Sequence, residues 1–477
     1  MPHRSPSRSL PRLSLRPHSR RRGALVVAVA LAALVPAVAG ASPRPNAPID
    51  GVGQPAGATR RALRVANSTD LVSISQFGPM SPALVDRAEQ LALALTLPSA
   101  RGRSFNIGLA AVRRGATVVQ QASGPTGRWQ FPMSATALPV DALGRSMSFS
   151  VSAAVAGGTI VMSDTAAGQR GAQAGDVVEL VDSGGGLQSF VIGYVATDAE
   201  VGGAELVMSL EQADALGVTI VTRVLLYGPF SREALDAELE ARGMVAGAGV
   251  RVTRSWAPRS PDSTLGTART KQLLGEFDYR VNGDGSLSLD ADWVATSITR
   301  VDFASIAIRS SCHRAIVADL QAALDEIAVS GLASAIDLGN TNTYGGCYNP
   351  RFAVLSGSIG SVSRHAWGMA IDMNTVANAQ GRVPRMDCRV VRIFRKHRFA
   401  WGGNFFVPDG MHFEWVGEPR HTIDYPSAYC PNVPGGGIES PSGASPTAPP
   451  LVPASTERDV MFAGDGWALG ADDEHDR

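Results

Sequence analysis

Two rhythms of apolar and polar positions run along this chain. Between about residues 62 and 245, apolar residues come in short stretches separated by Gly, Asp and Ser: Ser148–Ser152, Thr159–Met162, Gly175–Val181, Ser189–Val195 and Thr219–Tyr227. Such stretches, bounded by turn formers, predict strands. Helical spacing interrupts them at Ser81–Leu95, Ser209–Leu216 and Ser231–Arg242, the last followed by Gly243 as a stop. The region 62–248 is therefore expected to be a mixed, mostly β domain. Further on the helical period is cleaner. Within Cys312–Ser330, Ile316, Leu320, Leu324 and Ile327 fall at i, i+4, i+8 and i+11, and Gly331 closes the run. Asp387–Lys396 sets Val390, Val391 and Phe394 inward and leaves Arg389, Arg392 and Lys396 to solvent. A buried strand is expected over Met369–Met373.

Punctuation divides the chain. The Pro/Gly/Ala-rich stretch 42–61 reads as a linker, 254–275 as a second boundary or a lead-in loop, and the Pro/Gly/Ser-rich, then acidic, stretch 433–477 as a disordered tail. A length of 477 residues with 44% hydrophobic content is enough for two or three cores. Formal net charge is zero and the arginines are scattered among acids, so nothing points to nucleic acid.

Charge is informative only at the start. Residues 1–22 hold seven arginines and no acid, followed by the apolar run 23–35 and the small residues Ala37-Val38-Ala39-Gly40-Ala41-Ser42. That order predicts an export signal over 1–41, cleaved after Ala39 or Ala41, with an uncleaved membrane anchor as the alternative. No second stretch reaches spanning length. The four cysteines, Cys312, Cys347, Cys388 and Cys430, all lie in the last third. An even number in an exported domain predicts two disulfides, in any of three pairings.

Chemistry concentrates in two stretches. Ser363-Arg364-His365-Ala366-Trp367-Gly368-Met369-Ala370-Ile371-Asp372 is answered by Asp409-Gly410-Met411-His412-Phe413-Glu414. Two imidazoles, a carboxylate ligand and a spare carboxylate form the inventory of a hydrolytic zinc site, with one position open for water and a base to deprotonate it. Residues seven apart on a strand point oppositely, so His365 and Asp372 share an ion only if a kink, for which Gly368 is suited, intervenes. His412 and Glu414 face one way, and Asp409 sits in the Pro408-Asp409-Gly410 turn. On this reading His365, Asp372 and His412 bind Zn2+, and Asp409 is the base. Arg351 holds a substrate carboxylate or the oxyanion. Glu414, Ser363 and Trp401 support the ligands or line the substrate pocket.

These two motifs, with Trp401-Gly402-Gly403 between them, are similar to those of the zinc D-Ala-D-Ala carboxypeptidases, a family that includes L-alanyl-D-glutamate endopeptidases. The likeness covers about residues 255–430. It implies a peptidoglycan stem peptide as substrate, the same ligand and base assignments, and an α+β fold with a small antiparallel sheet, here over 249–432. Aspartate at 409, where carboxypeptidase members often carry glutamate, leans towards the endopeptidase branch. Separately, the 158–228 portion resembles the extracytoplasmic core domains of MacB-type transporter permeases, on Gly-Asp-Val-Val-Glu-Leu at 175–180 and Tyr-Val-Ala at 194–196; it carries no catalytic motif. The competing reading of the whole chain is a non-catalytic wall-peptide binder or transport accessory with a degenerate peptidase domain.

Overall fold

The structure is a computed structural model and describes residues 70–432, apart from 77, 124–128, 246–248, 338–343 and 357–358. The expected export signal, linker and C-terminal tail lie outside the described residues. All described residues belong to one compact unit, α+β in class. The expected division at 248/249 therefore lies inside that unit.

The N-terminal region is built on one long strand, Ser99–Arg114. Its first residues pair with Arg223–Tyr227, which continues through Leu71–Gln76 to Val250–Arg254 as an open antiparallel flank. Its remainder belongs to a barrel. From Ser99–Arg114 the order runs through Phe131–Ala137, Leu206–Met208, Ile160–Ser163, Leu187–Ala196 and Val177–Val181, and the last strand pairs back onto the first. Closure leaves these six strands without the free edges that would otherwise invite aggregation. Apolar side chains such as Ile107, Leu109, Met133, Ile160, Leu180 and Leu206 form its packed core.

Most elements form where the pattern expects them. Ser81, Ser209 and Ser231 each accept a hydrogen bond from the backbone of the first turn of the helix they precede. Two expectations fail. Ser148–Ser152 was expected to be a strand, but Ser148 caps a helix, Phe149–Ala156. Val151 and Val155, four apart, are buried while Phe149 is 84% exposed; the helical period outweighs a local alternation. The helix expected from Cys312 begins at Val317 instead. Cys312 belongs to strand Ile308–His313, and the His313 ring accepts the Ala315 amide at 3.1 Å, opening a short 3-10 turn first.

In the C-terminal region, Tyr344–Gly346, Ala370–Met373, His412–Trp415 and Phe399–Trp401 make a four-stranded antiparallel sheet in that order. Helices Val317–Val329 and Cys388–Lys396 share its core through Leu320, Leu324, Ile327, Phe394, Phe399 and Phe413. The cysteines pair 312–347 and 388–430.

The stretch 254–275 runs irregularly over 255–266 and then forms helix Thr267–Leu274, and two of its charged residues are enclosed. Asp262 accepts Arg395 Nε at 2.8 Å, the Trp401 amide at 3.1 Å and Asn404 Nδ2 at 2.7 Å. Lys271 reaches Glu205 of the barrel region at 2.7 Å and Glu276 at 2.9 Å, with no side-chain exposure at Lys271 or Glu205. Arg170 pairs with Glu276, and the Ser134 amide donates to Glu205 at 2.8 Å. Gln130 and Tyr279 exchange backbone hydrogen bonds of 2.9 Å beside this cluster. Two buried cations thus meet two buried carboxylates, and removing one leaves an uncompensated charge. Lys271→Met is expected to lower the unfolding free energy by about 3–5 kcal/mol in denaturant titration. A loss below about 1 kcal/mol would mean the cluster is solvated rather than buried.

Candidate metal centre

The sheet register sets the two central residues side by side, because Asp372 pairs directly with His412 across neighbouring antiparallel strands. His365 arrives differently. It sits in the 3-10 turn Arg364–Trp367, with Ser363 Oγ accepting its amide at 3.3 Å. The chain then reverses at Gly368, which has φ 65°. A Cβ there would also meet the His313 amide at 2.9 Å, so only glycine fits. This reversal lets two residues seven apart face one point.

At that point both imidazoles meet the same carboxylate oxygen. His365 Nε2 is 3.2 Å and His412 Nδ1 3.1 Å from Asp372 Oδ1. The ligand atoms of the three residues all lie within 4.8 Å of one another. Neighbouring ligands of a tetrahedral ion bonded at about 2.0–2.1 Å stand roughly 3.3 Å apart, close to these spacings. The donor chemistry fits as well. His365 Nδ1 lies 3.2 Å from the Cys347 carbonyl, which can only accept, so Nδ1 carries a proton and Nε2 is the nitrogen left to face an ion. Nε2 is buried and has no hydrogen-bond partner.

Burial alone would raise the Asp372 carboxyl, but the two imidazoles hold it far below the usual carboxylate range. Burial alone would lower His412; hydrogen bonds to Asp372 and Glu414 outweigh it and raise its pKa to about 10. Glu414 is itself buried, 3.5 Å from His412 Nε2 and 3.3 Å from Arg364 Nε. It therefore orients the ring so that Nδ1 faces Asp372.

Asp409 sits on a turn made by close approach. Its amide donates to the Gly402 carbonyl at 2.8 Å, and a Cβ on Gly402 would stand 2.6 Å from the Asp409 carbonyl. Asp409 Oδ1 is buried without a hydrogen-bond partner, while Gln380 Nε2 lies 3.5 Å from Oδ2. Burial pushes its carboxyl above the ordinary value, and the charges of His412, His365 and Arg351 pull the other way. Arg351 is exposed, with Nη1 3.4 Å from the Phe352 carbonyl. Trp401 is 1% exposed, and its indole donates to the Gly410 carbonyl at 2.9 Å.

The structure thus gathers His365, Asp372, His412, Asp409, Glu414 and Ser363 about one point, with Arg351 within electrostatic reach. Sequence reasoning passed over Arg364, Gln380, Gly402 and Asp262. Of these, Arg364 inside the first motif and Gly402 inside Trp401-Gly402-Gly403 had a local signal. Gln380 and Asp262 had none.

A family model described as D-alanyl-D-alanine carboxypeptidase matches residues 356–415. That span contains the gathered residues and leaves out Arg351. No curated protein matches the chain.

An ion that takes His412 Nδ1 must displace the proton held there. With a pKa of about 10, the imidazolium predominates at lower pH, so acid competes with the metal. Apparent affinity for a divalent metal is expected to rise about tenfold per unit between about pH 7 and pH 9, with about one proton released per ion. Calorimetry in buffers of different ionisation enthalpy reads both. Affinity that stays flat across that window would remove His412 Nδ1 as a ligand.

Proposed function

We propose that this chain is an exported zinc-dependent peptidase that hydrolyses an amide bond in peptidoglycan stem peptides, as a D-Ala-D-Ala carboxypeptidase or an L-Ala-D-Glu endopeptidase. The observation that carries this reading is a pair of buried, unsatisfied atoms, His365 Nε2 and Asp409 Oδ1, beside Asp372 and His412. One suits an ion and the other suits a proton in transit. The family match over 356–415 supports a peptidase, and two disulfides are consistent with an oxidising compartment. Among the described residues no helix is long and apolar enough to cross a membrane.

His365 Nε2, His412 Nδ1 and an oxygen of Asp372 would hold the ion. Zinc so bound would polarise the scissile carbonyl and acidify a water. The chain's own residues do the rest. Asp409, its carboxylate made more basic by burial, accepts the proton of the attacking water and hands it to the leaving amine. Glu414, fixed by Arg364, keeps His412 from turning. The Arg351 guanidinium, exposed and within electrostatic reach of Asp409, pairs with a substrate carboxylate or the developing oxyanion. Trp401 and Ser363 hold the two turns that carry Asp409 and His365.

Muropeptides incubated with the zinc-loaded chain, with and without chelator, test the reading by mass spectrometry. Chelator-sensitive loss of a terminal D-Ala assigns a carboxypeptidase, and scission between L-Ala and D-Glu an endopeptidase. A zinc-loaded chain that cleaves neither is a wall-peptide binder instead. Asp409→Ala is expected to retain zinc while turnover falls about 10²–10⁴-fold. A near-normal rate would dismiss Asp409 as the base.

A further inference from the structure

The disulfide Cys312–Cys347 joins two backbone segments that each touch the turn bearing His365. On one side, Cys347 has no exposure, and its carbonyl accepts the His365 Nδ1 proton at 3.2 Å. Two residues on, the Asn349 amide donates to the His365 carbonyl at 2.9 Å. On the other side, Cys312, also without exposure, precedes His313, whose amide donates to the Gly368 carbonyl at 2.9 Å. Gly368 is packed so closely on this segment that a Cβ would touch the His313 amide at 2.9 Å. A closed ring results: the disulfide, the Cys347 carbonyl, the His365 imidazole, its turn, the Gly368 carbonyl and the His313 amide. A strand also runs into Cys347, but it is only Tyr344–Gly346 and its register slips against Ala370–Met373. Besides the disulfide, the Cys347 amide is held by Ser310 Oγ at 2.8 Å.

We propose that the Cys312–Cys347 disulfide is a positioning device for the metal centre. It fixes the carbonyl that holds His365 in the Nδ1–H tautomer, and so aims the Nε2 lone pair at the ion. The inference rests on the reading of His365 as a ligand. Outer partners of ligand histidines set tautomer and ring orientation, and their loss costs about 10–100-fold in metal affinity. The second disulfide, Cys388–Cys430, is a matched control. It spans 42 residues against 35, so the two constrain the unfolded chain comparably. The Cys430 carbonyl accepts Arg395 Nη1 at 2.6 Å, and no ligand residue takes part.

The test uses the full chain with zinc alone as probe, read by competition with a fluorescent chelator. Cys312→Ala with Cys347→Ala is expected to weaken zinc binding by about 10–100-fold. Cys388→Ala with Cys430→Ala is expected to leave affinity within about threefold, although both pairs lower thermal stability. Nitrogen-15 spectra without zinc give a second readout: His365 should be the Nδ1–H tautomer in the wild type and in the control, and a mixture in the first pair. Equal zinc affinities for the two pairs, or an unchanged tautomer, overturn the proposal. Should the first pair fail to fold, Ser310→Ala, which frees the Cys347 amide, is expected to weaken zinc about tenfold; unchanged affinity there also overturns it. A wild-type chain that takes up no zinc sinks the metal reading itself, whereas one that binds zinc without cleaving peptides leaves this inference standing.

Discussion

Asp372 is the constraint on which the C-terminal region is organised. A carboxylate buried to 8% exposure is costly unless its charge is matched, and here two imidazole nitrogens converge on one of its oxygens. Holding three polar groups at that spacing inside an apolar core needs support from every side. The sheet register supplies His412, a glycine reversal supplies His365, and a disulfide-bound carbonyl and the Glu414–Arg364 pair set the two rings. None of these supports would suit a site meant to shift. The centre is preorganised.

The gathering of this centre was legible because it is local. His365 and Asp372 lie within one motif, His412, Glu414 and Asp409 within another, and both the strand period and the need for a kink at Gly368 can be read from residue types. What escaped was long-range charge pairing. Asp262 meets Arg395 across 133 residues and Lys271 meets Glu205 across 66, distances over which no periodicity carries information. Arg395 lies on a helix whose neighbours Arg389, Arg392 and Lys396 were all assigned to solvent, yet it is fully buried. Local rules misread 148–152 for the opposite reason. Alternating Ser, Phe and Val satisfied the strand rule, but one serine at the right place was also a helix cap. Barrel closure could not be read either, since it depends on the last-ordered strand returning to the first.

The two halves of the described chain are joined by more than apolar contact. Two carboxylates and two cations are shut in where the barrel region meets helix Thr267–Leu274, and a backbone bridge between Gln130 and Tyr279 runs alongside. Such groups stabilise little compared with an apolar replacement, but once enclosed they tolerate few alternative arrangements. The His365–Asp372–His412 centre is thereby given a fixed bearing relative to the barrel.

The same enclosure gives the protein an internal gauge. The chain has only two lysines, and Lys396 is half-exposed beside Glu326 while Lys271 is sealed. An amine-reactive reagent added to the native protein therefore meets Lys396 and the terminal amine at once. It reaches Lys271 only when the barrel and the C-terminal region part. The rate at which that single side chain becomes modified is a clock for the opening of this seam, readable without any engineered label.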